Sequence, residues 1–202
     1  SLKKNFSVIY IYIIMYETDF LPDCKSEEEI ICLRKDIKKS KDIEKIESRH
    51  GRISKSFEVS DCIKNKIDSI AKTHSKNINL RYIGHSIYSK KYGTPRLPMH
   101  LDEPACEFTI DYQLDGNISW PIFINNQEFI LKNNDAVTFI GEEDLHWRNK
   151  INFDENSFLE LVFFHFSSDD HWFLKDPENL EKRKEKINKR YKKIKEIKEK
   201  NA

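Results

Sequence analysis

Two potential metal ligands, His100 and Asp102, stand one residue apart at the head of a strand-like stretch, PMHLDEPACEFTIDYQL. Side chains alternate along an extended strand, so His100 and Asp102 project from the same face while Leu101 points away. An imidazole and a carboxylate placed in this way can bind one metal ion together. The alternative is a polar strand end whose side chains hydrogen-bond to the backbone.

A third ligand has to come from elsewhere in the chain, and His146 in the segment EDLHWRNKI is a suitable candidate near the end of a later strand. Two neutral imidazoles and one carboxylate on one face of an octahedron leave three positions open. This is the arrangement of non-haem iron(II) oxygenases. The H-x-D pair alone is a weak signal, and the later histidine in a β-rich context strengthens it.

The segments that would position these ligands lie beyond residue 77, where short apolar or alternating stretches are separated by turn residues. Seven stretches read as strands: residues 78–93, 106–114, 120–125, 128–133, 135–141, 145–151 and 158–166. This pattern favours a sandwich or barrel of antiparallel strands that is flanked by N-terminal helices.

The first part of the chain is predicted to supply a strand and helices. Residues 6–15, FSVIYIYIIM, are β-branched and aromatic and lack a small-residue cleavage site, which favours a buried strand over a secretory signal. Residues 25–50 are charged, with apolar residues at roughly helical spacing, and predict one or two surface helices or a partly mobile insertion. A helix over 61–74 begins at Ser60 or Asp61.

The composition limits the compartment and the kinds of site. The sequence has no run of about 18 apolar residues, so no segment is expected to span a membrane. The four cysteines are far apart and form no C-x-x-C pair, which argues against both a zinc ribbon and a disulfide framework. A reducing, cytoplasmic setting is therefore expected, and Cys106 lies close enough to the H-x-D pair to line a pocket.

Several segments together resemble the iron(II)/2-oxoglutarate-dependent oxygenases, specifically their prolyl-hydroxylase-like branch: YGTPRLPMHLD, CEFTIDYQL, WPIFI, LKNNDAVTFIGEEDLHWR and FLELVFFHF. The resemblance covers about residues 79–166, under half of the chain. It implies a mainly β fold, the double-stranded β-helix or jelly roll, with helices packed on the outside. It also makes His100, Asp102 and His146 the ligands of Fe(II).

In that family 2-oxoglutarate chelates the iron, and a basic side chain a short distance beyond the second histidine binds its distal carboxylate. Asn156 lies in the corresponding stretch here and is no cation, which is a departure from the family pattern. Arg148 is the expected substitute, because it lies two residues beyond His146 on the same strand face and its planar fork suits a carboxylate. Arg96 and Lys150 are further candidates, and a purely structural Arg148 is the alternative.

Three polar residues, Thr109, Asp111 and Gln113, share one face of the strand that follows the motif. Such a row is unfavourable in a core unless it lines a wet pocket, whereas on a solvent-exposed face it would reflect solubility alone. The resemblance directs Thr109 and Gln113 towards the cosubstrate, which leaves Asp111 to contact the substrate. Tyr88 matches a tyrosine that contacts 2-oxoglutarate in related enzymes, although an ordinary core tyrosine fits equally well.

The tail from Glu178 to Ala202 carries eleven Lys and Arg against five Asp and Glu, a net charge of +6. Its apolar residues form one stripe, which predicts a basic amphipathic helix packed on the barrel or on a second subunit, as in a homodimer. The stripe comprises Leu180, Ile187, Tyr191 and Ile194. This stripe and the interleaved glutamates argue against a nucleic-acid partner.

The length of 202 residues favours a single domain. Flanking elements are expected over 1–77 and the tail helix over 175–202, and the resemblance implies a double-stranded β-helix catalytic core over 78–174. The activity that it implies is an iron(II)- and 2-oxoglutarate-dependent dioxygenase, which uses O2 to hydroxylate an unactivated C–H bond and produces succinate and CO2. The substrate class stays open between an amino acid, a peptide or protein side chain and another small metabolite. The alternative is a cupin-like metal-binding protein or isomerase that does not turn over 2-oxoglutarate.

Overall fold

The computed structural model of the chain describes residues 18–175 and, in the tail, residues 185, 188, 189, 192, 195, 196 and 199. Within residues 18–175 the chain forms eleven strands in two antiparallel sheets. The strands are β1 Asp19–Leu21, β2 Lys45–Glu47, β3 Arg52–Ser56, β4 Ile78–Ser89, β5 Leu97–His100, β6 Phe108–Gly116, β7 Ile122–Ile124, β8 Gln127–Phe129, β9 Ala136–Phe139, β10 His146–Arg148 and β11 Phe158–Ser168.

The larger sheet has the strand order β1-β9-β6-β11-β4-β3-β2, and the smaller sheet has the order β5-β10-β7-β8. The long strands β4, β6 and β11 form the centre of the larger sheet, where β11 pairs with both of the others. The two sheets together form the predicted jelly roll. All seven strands predicted between residues 78 and 166 are present.

The alternation along β6 separates two environments, as its sequence predicts. Ile110, Tyr112 and Leu114 are buried on the outer face, in one hydrophobic cluster with the helices. Thr109 and Asp111 project from the opposite face, into the barrel. Since Thr109 and Asp111 are also buried, their polar row is not a solvent-exposed surface.

Two helices cover the outer face of the larger sheet: α1 over Glu27–Lys39 and α2 over Asp61–His74. Ser26 and Glu29 form a capping box at the start of α1. The helix predicted over 61–74 is confirmed, and its Ile63, Ile67 and Ala71 are fully buried. Two 3₁₀ turns, Ser48–His50 and Lys90–Tyr92, and a short helix α3 over Trp172–Lys175 complete the described elements.

The prediction for residues 25–50 is only partly correct. Helix α1 occupies the first part, but β2 follows it and pairs with β3 as a hairpin on the edge of the larger sheet. The predicted strand over 6–15 lies outside the described residues, as does the apolar stripe of the tail, whereas the seven tail positions that the structure describes are helical. Among the described residues, no helix is both long and apolar enough to cross a membrane.

Candidate metal centre

The structure brings His100, Asp102 and His146 together at one end of the smaller sheet. His100 is the last residue of β5 and His146 the first of β10, and the two are direct cross-strand partners. Their ring centroids lie 4.2 Å apart. Asp102 follows in the loop after β5, where its backbone N–H donates to the carbonyl of Gly141 at 2.8 Å.

One donor atom from each of the three side chains points to a common centre. The Oδ1 atom of Asp102 lies 3.6 Å from Nε2 of His100 and 3.4 Å from Nε2 of His146. The three donor atoms all lie within 4.8 Å of one another. This spacing suits three protein ligands on one face of a single ion.

Backbone carbonyls fix which nitrogen of each imidazole is available. Nδ1 of His100 lies 2.7 Å from the carbonyl oxygen of Pro98, and Nδ1 of His146 lies 2.9 Å from that of Asp144. Because a carbonyl oxygen only accepts, each Nδ1 carries the proton. When each ring is neutral, Nε2 therefore presents its lone pair to the centre, which is how ligating histidines are usually oriented.

The protonation states also favour a cation at this position. Burial raises the pKa of Asp102, but the adjacent His146 outweighs burial and holds that pKa well below its usual range. Burial, assisted by His146, lowers the pKa of His100 to about 4, so its ring is neutral near pH 7. Burial lowers the pKa of His146, but Asp102, with smaller contributions from Asp144 and Asp111, raises it overall, so a bound metal ion would displace a proton from this ring. An ionised carboxylate beside two imidazoles is a donor set suited to a divalent ion.

The outer oxygen of Asp102 is positioned by a short chain of hydrogen bonds. The Thr109 hydroxyl donates to Oδ2 of Asp102 at 3.3 Å and lies 3.0 Å from Nδ1 of His165. A Cβ atom on Gly141 would lie 2.6 Å from that same Oδ2, so only glycine leaves the carboxylate its place. No local sequence pattern predicts that Thr109 and His165, 56 residues apart, meet at Asp102.

Replacing Thr109 with valine is expected to weaken metal binding by about 10- to 100-fold, because it removes the hydroxyl that contacts both Asp102 and His165 while nearly preserving the side-chain volume. Thr138→Val is the matched control, since Thr138 is a buried threonine on β9 and does not line the cavity. Calorimetric titration with Fe(II) under anaerobic conditions measures both variants. Equal affinities would show that Thr109 does not position the ligand.

The metal site opens into a cavity of about 220 Å³ inside the barrel. Phe139, Leu97 and Phe163 contribute apolar walls, and the Phe139 ring lies 4.6 Å from that of His146. Besides His100, Asp102 and His146, the polar lining residues are Glu47, Arg52, Ser54, Tyr82, His85, Ser86, Thr109, Asp111 and His165. A cavity of this size and mixed polarity suits a small polar ligand beside the metal.

Arg148 lies on the predicted face, but its guanidinium is already engaged. Nη2 lies 3.3 Å from Oδ2 of Asp111, and Nη1 donates to the carbonyl of Trp120. Both side chains of the ion pair are buried, with 0% and 1% of their surfaces exposed. Asp111 lines the cavity, whereas Arg148 is not among the described residues that do.

The other residues predicted to bind the cosubstrate also differ in whether they line the cavity. Thr109 lines the cavity. Gln113 donates to Oδ1 of Asn133 at 3.1 Å, and Tyr88 is fully buried behind Arg52, whose Nη1 donates to its hydroxyl at 2.9 Å. Neither belongs to the described cavity lining. Arg96 and Lys150 are exposed and border a separate groove outside the barrel.

Unpaired polar atoms indicate that the barrel interior is built for a polar ligand. In the described part of the chain, three buried side-chain atoms have no hydrogen-bond partner: Nε of Arg52, Nε of Arg148 and Oδ1 of Asp111. All three belong to the group of side chains at and behind the cavity wall. Buried donors and acceptors are rarely left unpaired, so their concentration here indicates that a polar ligand or water is needed to satisfy them.

No protein-family profile matches the chain, and no curated protein matches it either. Its fold, however, matches several solved structures. An oxidoreductase of the 2OG-Fe(II) oxygenase family from Burkholderia pseudomallei is 11% identical over 74% of this chain and 85% of that protein, with a TM-score of 0.57. The viral collagen prolyl hydroxylase from Paramecium Bursaria Chlorella virus-1 is 13% identical over 75% and 90%, with a TM-score of 0.52.

A third similar structure is the non-heme alpha-ketoglutarate-dependent epimerase SnoN from nogalamycin biosynthesis. It is 11% identical over 81% of this chain and 85% of that protein, with a TM-score of 0.56. At such low identities these similarities establish a shared fold. The predicted likeness to 2-oxoglutarate- and iron-dependent oxygenases, prolyl hydroxylases included, is thus confirmed at the level of the fold.

Proposed function

We propose that the protein is an iron(II)- and 2-oxoglutarate-dependent oxygenase that hydroxylates an unactivated C–H bond. The observation that carries this proposal is the convergence of Nε2 of His100, Nε2 of His146 and a carboxylate oxygen of Asp102 within 4.8 Å of one another. Two imidazoles and one carboxylate leave room for a cosubstrate and an oxidant on the same ion. Structures of SnoN with Fe3+ and alpha-ketoglutarate show that this fold accommodates both.

His100, Asp102 and His146 would hold the iron through the atoms described above. When bound, iron with 2-oxoglutarate and O2 supplies the oxidising power to cleave a C–H bond, with succinate and CO2 as coproducts. The protein's part is to position the reactants and exclude water. Thr109 fixes the free oxygen of Asp102, and the Phe139 ring covers one side of His146.

Asp111 is placed to contact a substrate or cosubstrate, because it lines the cavity and keeps one oxygen unpaired. Arg148 secures its other oxygen from behind the wall. Burial raises the pKa of Asp111 although Arg148 opposes this effect, so the carboxyl keeps a proton to higher pH than an exposed one. The substrate is a small molecule or a side chain that enters a cavity of about 220 Å³.

An anaerobic titration with Fe(II) and then 2-oxoglutarate tests the proposal. We expect the wild-type protein to develop the visible metal-to-ligand charge-transfer absorption of a 2-oxoglutarate chelate and, in air, to form succinate. A protein that binds iron but shows neither signal would instead support the cupin-like metal-binding alternative.

Product analysis then distinguishes hydroxylation from stereochemical inversion. The epimerase SnoN has a similar fold, so this fold is compatible with epimerisation as well as hydroxylation. A gain of one oxygen atom by the substrate, detected by mass spectrometry with ¹⁸O2, supports hydroxylation. A product of unchanged mass would favour epimerisation.

A further inference from the structure

The cavity is lined by an arginine that the sequence analysis did not predict as a ligand-binding residue. Among the described residues that line it, Arg52 is the one arginine or lysine. Arg52 begins β3, on the hairpin that extends the larger sheet, and this hairpin lies outside the part of the sequence that resembles the oxygenases. Its positive charge therefore reaches the barrel interior from a hairpin that the sequence resemblance does not cover.

Neighbouring strands hold the guanidinium in place. Arg52 lies between its cross-strand partners, Glu47 on β2 and Tyr88 on β4. Nη1 donates to the Tyr88 hydroxyl at 2.9 Å, and Nη2 donates to Oε2 of Glu47 at 2.9 Å. The Ser54 hydroxyl donates to the other oxygen of Glu47 at 2.6 Å. The fork is thus pre-positioned before any ligand arrives.

One donor of this fork is left unused. Nε of Arg52 is buried and has no hydrogen-bond partner. Of the whole Arg52 side chain, 23% of the surface is exposed. A carboxylate is the group that best satisfies a guanidinium edge, because its two oxygens match two parallel N–H donors. The orphaned Nε therefore points to an anionic ligand in the cavity.

The other basic candidates do not meet this requirement. Arg148 is ion-paired as Arg52 is, but it lies outside the cavity lining, and Arg96 and Lys150 border the outer groove. Asn156 is exposed in a turn, where its backbone N–H donates to Oδ1 of Asp154. Arg52 alone combines access to the cavity with a free donor among these residues.

We propose that Arg52, held by Tyr88, binds the distal carboxylate of 2-oxoglutarate, an inference that rests on the proposed function. Glu47 then acts as a competing anion on the same guanidinium. Its negative charge repels the ligand carboxylate, so Glu47 lowers the affinity of the pocket for 2-oxoglutarate. The N-terminal hairpin supplies the contact that the oxygenase-like segment lacks.

The test measures dissociation constants anaerobically on the full chain with Fe(II), through the charge-transfer absorption of the chelate. The two ligands are 2-oxoglutarate and 2-oxopentanoate, which has the same chain length but no distal carboxylate. We expect Arg52→Met to weaken 2-oxoglutarate about 10- to 150-fold and to leave 2-oxopentanoate nearly unchanged. Arg52→Lys should recover part of the loss, and the exposed Arg49→Met is the matched control.

Glu47→Gln provides a second variant in case Arg52→Met does not fold, and we expect it to bind 2-oxoglutarate more tightly than wild type. The assignment is overturned if both ligands weaken equally in Arg52→Met, or if neither the Arg52 nor the Glu47 variant changes the preference for 2-oxoglutarate. A wild-type protein that binds iron but forms no chelate with either ligand overturns the proposed function and this assignment together. A wild-type chelate with an indifferent Arg52 overturns the assignment alone.

Discussion

Replacing His146 with alanine is expected to remove iron(II) binding and, with it, the 2-oxoglutarate chelate and succinate formation. His146 supplies one of the three converging donor atoms. Its Nδ1 contacts the carbonyl of Asp144, and its Nε2 faces Asp102 and the proposed metal position. Loss of an outer-shell partner commonly weakens metal binding 10- to 100-fold, so loss of a ligand should exceed roughly 100-fold.

His74→Ala is the matched control for this variant. His74 ends α2 and stacks on Phe108 with the ring centroids 4.7 Å apart, on the outer face of the larger sheet. Its removal should leave iron affinity within about twofold of wild type, and circular dichroism confirms that both variants fold. A His146→Ala protein that still bound iron with wild-type affinity would show that the ligand set has been assigned wrongly.

Replacing Arg148 with methionine is expected to lower the free energy of unfolding by about 3–5 kcal/mol. The substitution leaves Asp111, which has 1% of its side chain exposed, without a counter-charge in the barrel wall. The loss should be smaller in mildly acidic solution, because burial raises the pKa of Asp111 and a protonated carboxyl tolerates the interior better. Urea denaturation at two pH values measures the effect.

The double variant Arg148→Met with Asp111→Leu should recover much of this stability, since replacing both members of a buried pair with apolar groups is often neutral or favourable. Arg81→Met is the control, because Arg81 pairs with Asp169 at the surface and should contribute no more than about 1 kcal/mol. If Arg148→Met were as stable as the Arg81 variant, the buried pair would not be the strong contact that the structure indicates.

The core of the site was predictable because the signals are local. The one-residue spacing keeps His100 and Asp102 close enough to share one ion, although Asp102 lies in the loop after β5 and not on the strand as predicted. The alternation of Thr109, Asp111 and Gln113 predicts a polar barrel wall. The buried Thr109 and Asp111 confirm that this face looks inward. The helix over 61–74 was equally clear, because its apolar residues recur at helical spacing.

The parts that sequence reasoning missed depend on contacts between distant residues. The β2–β3 hairpin lies in a charged segment whose isoleucines recur at helical intervals, and its strands are short. Pairing with β4 fixes them as strands, and Arg52 meets Tyr88 across 36 positions of sequence. Such long-range pairing overrides local preference and leaves no local signal.

Arg148 shows the same limit, because its strand face is predictable from sequence and its partner is not. The strand face and the barrel interior were both anticipated, yet Asp111, 37 positions earlier in the chain, already holds the guanidinium. The alternation predicts only the direction of each side chain and says nothing about which partner it meets. Because Arg148 is already held in this ion pair behind the cavity wall, Arg52 is the better candidate to bind the distal carboxylate.

The most direct test of the metal centre is an anomalous difference map from crystals grown anaerobically with Fe(II) and measured at the iron absorption edge. We expect one strong peak about 2.0–2.2 Å from Nε2 of His100, Nε2 of His146 and one oxygen of Asp102, the distances usual for first-row divalent ions bound by nitrogen and oxygen. A map with iron elsewhere, or with no ordered iron between these three side chains, would contradict this assignment.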